Sequence, residues 1–207
     1  MYNRRHNLII GFHGCDESVR DKIVKGEDIQ ILSKNDYDWL GHGYYFWENN
    51  YARALDYAKY LKEHPKHGKG EIKVPSVLGA VIELGNCLDL LDQNSLSVVK
   101  DAYVFLRKAA KKAGYTLPKN TNIPNGKDRI IRRLDCAVIQ IVHNISKEEG
   151  IVFDSVRNVF VEGRALYRGA GFKSKSHIQI CVRNPNCIKG YFIPRESSND
   201  WVKNFQD

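Results

Sequence analysis

Two spacings of apolar residues alternate along this chain. Apolar runs of strand length stand near its start and its end, and between them lie stretches with an apolar residue every three to four positions. Leu8 to Phe12 is apolar apart from Gly11 and closes on His13-Gly14, the pattern of a buried strand whose last side chains reach the edge of a sheet. Asp16 then caps a helix running to about Lys25, with Val19, Ile23 and Val24 on one face and Gly26 just past its end. Gln30 to Asp38 is polar and turn-like. Gly41 and Gly43 flank His42 and lead into Tyr44, Tyr45, Phe46 and Trp47, so a tight turn delivers a strand of flat rings. Tyr51 to Leu61 has helical spacing, with Ala54, Leu55, Ala58 and Leu61 apolar and Tyr51 and Tyr57 on the surface, and His64 to Gly70 is a loop.

In the second half, Ser76 to Leu84 reads as a central strand, broken at Gly85-Asn86 before a short run at Cys87 to Leu91. Val98, Ala102, Phe105 and Ala109 mark a helix from Ser95 to Ala113, ended by Gly114. After a loop from Leu117 to Lys127, Asp128 opens a helix carrying Ile131, Leu134, Ala137, Val138, Ile141 and Val142, closed by Asn144 to Gly150. Strand-like stretches follow at Val152 to Phe153, Val156 to Gly163, His177 to Val182 and Cys187 to Ile193, and Ser197 to Asp207 is a polar segment anchored by Trp201. Strands early and late, with helices inserted between, predict a single α+β domain over residues 1–207.

Composition narrows the function classes. At 207 residues, 43% hydrophobic and 27% charged, the chain is long enough to bury a core and is not of disordered composition. No apolar run approaches the roughly 20 residues of a membrane span, and the apolar stretch after the basic N-terminus is too short for a signal peptide. A cytoplasmic protein without a membrane partner is therefore expected. The five cysteines are scattered within apolar runs without a CxxC pair, which predicts buried free thiols rather than a disulfide frame or zinc site. His64 and His67 have metal-like spacing but no second ligand pair nearby in sequence, so no metal is expected. The net charge of +8 favours polyanions: RNA, DNA or a phosphate-rich cofactor. Its clusters at Lys108 to Lys112, Arg129 to Arg133 and around Lys66 to Lys69 also read as solvated faces.

Four ordered pieces now carry a resemblance: Phe12-His13-Gly14, Gly41-His42-Gly43-Tyr44-Tyr45-Phe46, a helix bearing Tyr57, and Gly79 to Asn86 ending Leu84-Gly85-Asn86. Taken singly, His13 reads as a structural histidine, and Tyr45 and Tyr57 as core and surface rings. In that order, over about residues 8 to 91, they resemble the catalytic domain of the poly(ADP-ribose) polymerase and diphtheria-toxin class of ADP-ribosyltransferases. That family reads His-Gly, Gly-x-Gly-Ile-Tyr-Phe, Ser-Ala-Asn-Tyr and a strand ending Leu-Gly-Asn. The resemblance implies a split antiparallel β-sheet ADP-ribosyltransferase fold with inserted helices, and NAD as co-substrate. It implies that the Gly14 backbone holds the nicotinamide carboxamide, that His13 bonds an adenosine-ribose hydroxyl, and that Tyr45 and Tyr57 sandwich the nicotinamide ring.

The family's third piece is a glutamate at the start of a late strand, reading Glu-Tyr-x-Val-Tyr, and here the chain departs from it. Aligning Ile188 with the family's later apolar position puts Gln179 in the glutamate's place, whereas a shift of two puts His177 there. A glutamine can accept a hydrogen bond from a ribose hydroxyl, but it supplies neither negative charge nor a general base, which disfavours polymer synthesis. Glu48 and Glu162 are the free carboxylates best placed by sequence to substitute; each also reads as an ordinary surface charge. The expectation is thus an NAD-dependent mono-ADP-ribosyltransferase with His13, Tyr45 and Gln179 as its catalytic set. Its acceptor would be a macromolecule, RNA or DNA or alternatively a protein. By resemblance the chain is a stand-alone effector or toxin, with an antitoxin protein as partner. The alternative is a non-catalytic module that binds NAD or ADP-ribose, with Gln179 as the mark of lost chemistry.

Overall fold

The computed structural model describes residues 4–65, 70–122 and 131–195, with side chains from residue 8 onward. His67, Asp128 and the segment containing Trp201 lie outside the described residues, so the expectations placed on them stay with the sequence. Among the described residues the architecture is mixed α+β, with a mainly antiparallel six-stranded sheet, a two-stranded ribbon and four α-helices.

The chain opens on a long strand β1 (Arg4–Asp16), and Asp16 then caps α1 (Glu17–Lys25) by accepting from Ser18 N–H, with left-handed Gly26 closing the helix as predicted. The aromatic block forms β2 (Tyr44–Glu48), and α2 (Tyr51–Glu63) follows directly. Next comes β3 (Pro75–Asp89), which runs through the expected break at Gly85-Asn86. Gly85 takes a φ of +60° and Asn86 N–H donates to Asp154 Oδ2 at 2.8 Å, so the strand bends there instead of ending. The bend changes its partner. Up to Asn86, β3 is antiparallel to β1; from Cys87 to Asp89 it runs parallel to β6 (Ser155–Phe160).

α3 (Gln93–Ala113) and α4 (Arg133–Glu148) lie between, linked through the ribbon of β4 (Asn120–Thr121) and β5 (Ile131–Arg132). Ile131 is thus ribbon rather than helix, and α4 takes its N-terminal cap from Asn120, whose Oδ1 accepts from Leu134 and Asp135 N–H. The buried stripe of α3 is Ala102, Leu106 and Ala110, which shares only Ala102 with the predicted one; Val98 and Phe105 are exposed. Both stripes have helical spacing, and only packing against α4 selects between them. Val152 to Phe153 is not a strand, and the last two strands are β7 (His177–Val182) and β8 (Ile188–Phe192).

Pairings run β1–β2–β7–β6–β3 and return from β3 to β1, while β8 adds to the outside of β3. The strands therefore wrap around an inner core of Phe46, Ala80, Ile82, Leu84, Ile180 and Val182. α2 covers the outer face of β1, β2 and β3 through Ala54, with Tyr51 and Tyr57 turned inward against it rather than out to solvent. α3 and α4 cover β6 and β7. The five cysteines are buried free thiols. No helix among the described residues is long and apolar enough to cross a membrane, and no group of three or more His, Cys, Asp or Glu among them could hold a metal.

Candidate functional site

β1, β2 and β7 are neighbours in the sheet, so His13 with Gly14, Tyr45, and Gln179 come from three adjoining strands. The β1–β2 ladder is short: Gly11 faces Glu48 and Phe12 faces Trp47. In an antiparallel strand successive residues turn their amide groups to alternate neighbours. Glu17 N–H donates to Val74 O beside β3, and Ile10 O accepts from Asn49 N–H beside β2. Odd-numbered residues of this stretch therefore bond towards β3 and even-numbered ones towards β2. Gly14 would make the next rung, opposite Tyr45. Instead, His13 Nδ1–H donates to the Tyr45 carbonyl at 2.9 Å and takes the acceptor that rung requires. Gly14 turns its N–H and C=O towards β2 just past the last paired residues, at the wedge where the β1–β2 ladder ends.

Only glycine fits there, because a Cβ on Gly14 would lie 2.2 Å from the Ala54 carbonyl oxygen of α2. The bond to a carbonyl fixes the His13 proton on Nδ1 and leaves Nε2 as an acceptor. Burial holds the imidazole pKa below its ordinary value, against the upward pull of that bond, so the ring is neutral. Tyr45 closes the preceding turn. Its hydroxyl donates to Gly41 O at 2.7 Å and accepts from Leu40 N–H at 3.0 Å, with Gly41 at a φ of +80°. Burial raises the phenol pKa well above its usual value.

Tyr57 does not pair with Tyr45. Its ring meets Trp47, 5.1 Å between centroids, while the Tyr45 ring packs with the Leu40 and Cys181 cluster. Trp47 is the ring whose role the sequence pattern hides; standing two residues after Tyr45, it shares that residue's face of the strand. Arg53, one helical turn before Tyr57, carries no sequence signal either. Its guanidinium lies 5.8 Å over Trp47 and its Nη2 3.8 Å from Glu162 Oε2.

Gln179 is half-buried on β7, opposite Trp47 on one side and Asn158 of β6 on the other. Phe12, Trp47, Gln179 and Asn158 thus form one row across four strands, at the closed end of the wedge. His177 lies two residues farther off, its Nδ1–H donating to Lys175 O at 2.6 Å. Burial chiefly, with Arg53 adding, lowers its pKa to about 4. Trp47 Nε1, Arg53 Nε and His177 Nε2 are buried without a hydrogen-bond partner among the described residues. Glu162 is buried within the same group, 4.0 Å from His177. Glu48 is not a free carboxylate. It points to the opposite face of β2 and binds Arg157 Nε and Nη2 at 2.5 and 2.9 Å. His42 is half-buried in the turn before β2.

Comparison of the chain with protein-family models, with curated proteins and with solved structures finds no match.

Proposed function

We propose that the chain is an NAD-dependent mono-ADP-ribosyltransferase built on the split-sheet ADP-ribosyltransferase fold. The observation that carries this reading is the unmade rung at Gly14, where His13 has claimed the Tyr45 carbonyl. A strand edge with one donor and one acceptor side by side complements a primary carboxamide, which offers the reverse pair. Nicotinamide carries that group on a flat ring, and the Trp47 and Tyr57 rings flank the same face of the sheet. The chain's own residues thus fit the nicotinamide half of NAD.

In the proposed reaction the bond between nicotinamide and ribose breaks and its electron pair leaves with nicotinamide. A nucleophilic atom of the acceptor then bonds to the sugar's anomeric carbon and gives its proton to water. Gln179 accepts from a ribose hydroxyl and orients the sugar. Its place in the row beside the wedge favours it over His177, which is more buried and tied to its own loop. The unpartnered nitrogens of Trp47, Arg53 and His177 are donors and acceptors that a bound sugar or phosphate would complete. No carboxylate accompanies Gln179 on its row, which favours a single transfer over chain growth. The charge of +8 favours nucleic acid over protein as acceptor. The rival reading, a non-catalytic NAD or ADP-ribose binder, rests on the same glutamine.

Labelled NAD separates the two. Nicotinamide release alone, or with RNA, DNA or a cell lysate added, supports the transferase. Binding of NAD without release in every mixture leaves the binding module, and absence of binding removes both.

A further inference from the structure

A cavity of about 330 Å3 lies between α3, the start of α4 and strand β6. Its walls include the rings of Trp39, Tyr103 and Phe160, the cations Lys100 and Arg132, and the Asn158 side chain. Trp39 meets Phe160 edge to face at 4.4 Å between centroids, and the Arg132 guanidinium lies 4.3 Å above the Trp39 ring. Asp135 is the carboxylate among its lining residues; it is engaged by Arg132 at 3.2 Å and by Asn120 Nδ2 at 2.7 Å.

The volume is at the low end of the roughly 300–1,000 Å3 range of small-molecule sites, enough for one planar ring system and too little for a length of polymer. The aromatic walls suit the face of a flat occupant, and the Asn158 amide, whose Oδ1 already accepts from Val159 N–H at 2.9 Å, has its Nδ2 to donate to a polar edge. Lys100 and Arg132 supply positive charge for an attached phosphate. Position adds a further constraint. Asn158 is the ladder partner of Gln179 and shares its face of the sheet, one strand spacing of roughly 5 Å away.

We propose that this cavity receives one unpaired base of a single-stranded nucleic acid, with its phosphate against Lys100 and Arg132, and that it is the acceptor site. The acceptor role rests on the transferase reading; base binding itself does not. A base seated here lies beside the strand that carries Gln179, so the acceptor and the sugar are brought to neighbouring positions of one sheet.

The test is anisotropy of a labelled single-stranded oligonucleotide, without NAD, against its duplex and against competing nucleoside monophosphates. The single strand is expected to bind at least about tenfold more tightly than the duplex. Tyr103→Ala and Lys100→Glu should each weaken it about tenfold. Lys100 is exposed, so its replacement reads binding rather than folding. Lys108→Glu makes the same charge change on an exposed position of α3 outside the cavity and should cost under about threefold. Equal losses at Lys100 and Lys108, no loss at Tyr103, or preference for the duplex would each overturn the proposal. Competition by a free monophosphate as strong as by the oligonucleotide would assign the cavity to a mononucleotide and overturn the acceptor role. A wild type that binds the strand but releases no nicotinamide under any condition sinks the transferase and leaves the base site standing. One that releases nicotinamide and modifies only protein leaves the transferase standing and overturns the acceptor role of the cavity.

Discussion

β2 is held differently on its two sides. Towards β7 it pairs through Tyr44 to Trp47 without a gap, and β7 continues into six paired residues with β6. Towards β1 the pairing ends after Phe12, and a side chain takes the next acceptor. Both sides have the residues for a full ladder. What separates them is one imidazole placed where a strand amide would otherwise bond, so the β7 side is scaffold and the β1 side exposes backbone groups that a ligand can use.

The scaffold side breaks most readily at Arg157. From β6 it binds Glu48 of β2 in a two-pronged pair and reaches Asp89 at the end of β3 at 3.3 Å, inside the ring of strands. Its side chain is 10% exposed. Arg157→Ala strands two carboxylates near one another in the interior, and losses of about 3–5 kcal/mol are typical of such a break. Urea unfolding should show it as a large fall in midpoint; an unchanged midpoint would mean that these charges are solvated and the ring is closed by backbone alone.

Acid should act on the same side. Burial, with Arg183 adding, lowers the His143 pKa to about 3, and His177 stands at about 4. Above about pH 6.5 both rings are neutral folded or unfolded, and stability is fully present. As pH falls below that value the unfolded chain takes up protons that the folded chain refuses, so stability is lost progressively towards pH 4. At pH 5 the loss is up to about 2 kcal/mol for each histidine. Melting temperature followed from pH 7.5 to 5 checks the direction, and His143→Gln should flatten the curve.

On the wedge side, His13→Ala frees the Tyr45 carbonyl. The Gly14 rung can then close, and the proposed carboxamide site closes with it. KM for NAD should rise about tenfold with a smaller change in kcat, since the carboxamide pairing serves binding rather than the chemical step. Unaltered KM in a folded variant would show that the open rung is not where NAD binds.

Much of the scaffold was legible because local signals decide it. Asp16 and Gly26 delimit α1, helical spacing marks α2, and the aromatic block and a late strand-like stretch mark β2 and β7. Local signals could not choose between the two apolar stripes of α3, because that choice depends on α4. Nor could they foresee β3 passing through Gly85, where the carboxylate of Asp154, far along the chain, holds the bend. The site divides in the same way. His13 and Gly14 stand out as a strand-end pair, but the missing rung is a register property of three strands together. Trp47 was in plain view among the aromatics; its contact with Tyr57 depends on how α2 packs.

The smallest expected effect concerns Gln179, on the row where the two sides of β2 meet. If its amide oxygen accepts from a ribose hydroxyl, Gln179→Ala loses one neutral hydrogen bond, worth about 0.5–1.5 kcal/mol, and nicotinamide release should fall about two- to tenfold. Gln179→Glu keeps the acceptor and adds negative charge beside the developing cation, so release should be preserved or raised. His177→Ala serves as the comparison two residues away. Its ring is buried against Phe160 and bonded to its own loop, so the change should lower stability more than it lowers release by the molecules that remain folded. The reverse pattern, with both Gln179 variants like wild type and a folded His177→Ala inactive, would move the third catalytic position to His177 and shift the proposed sugar site away from the wedge, towards Arg53 and Glu162.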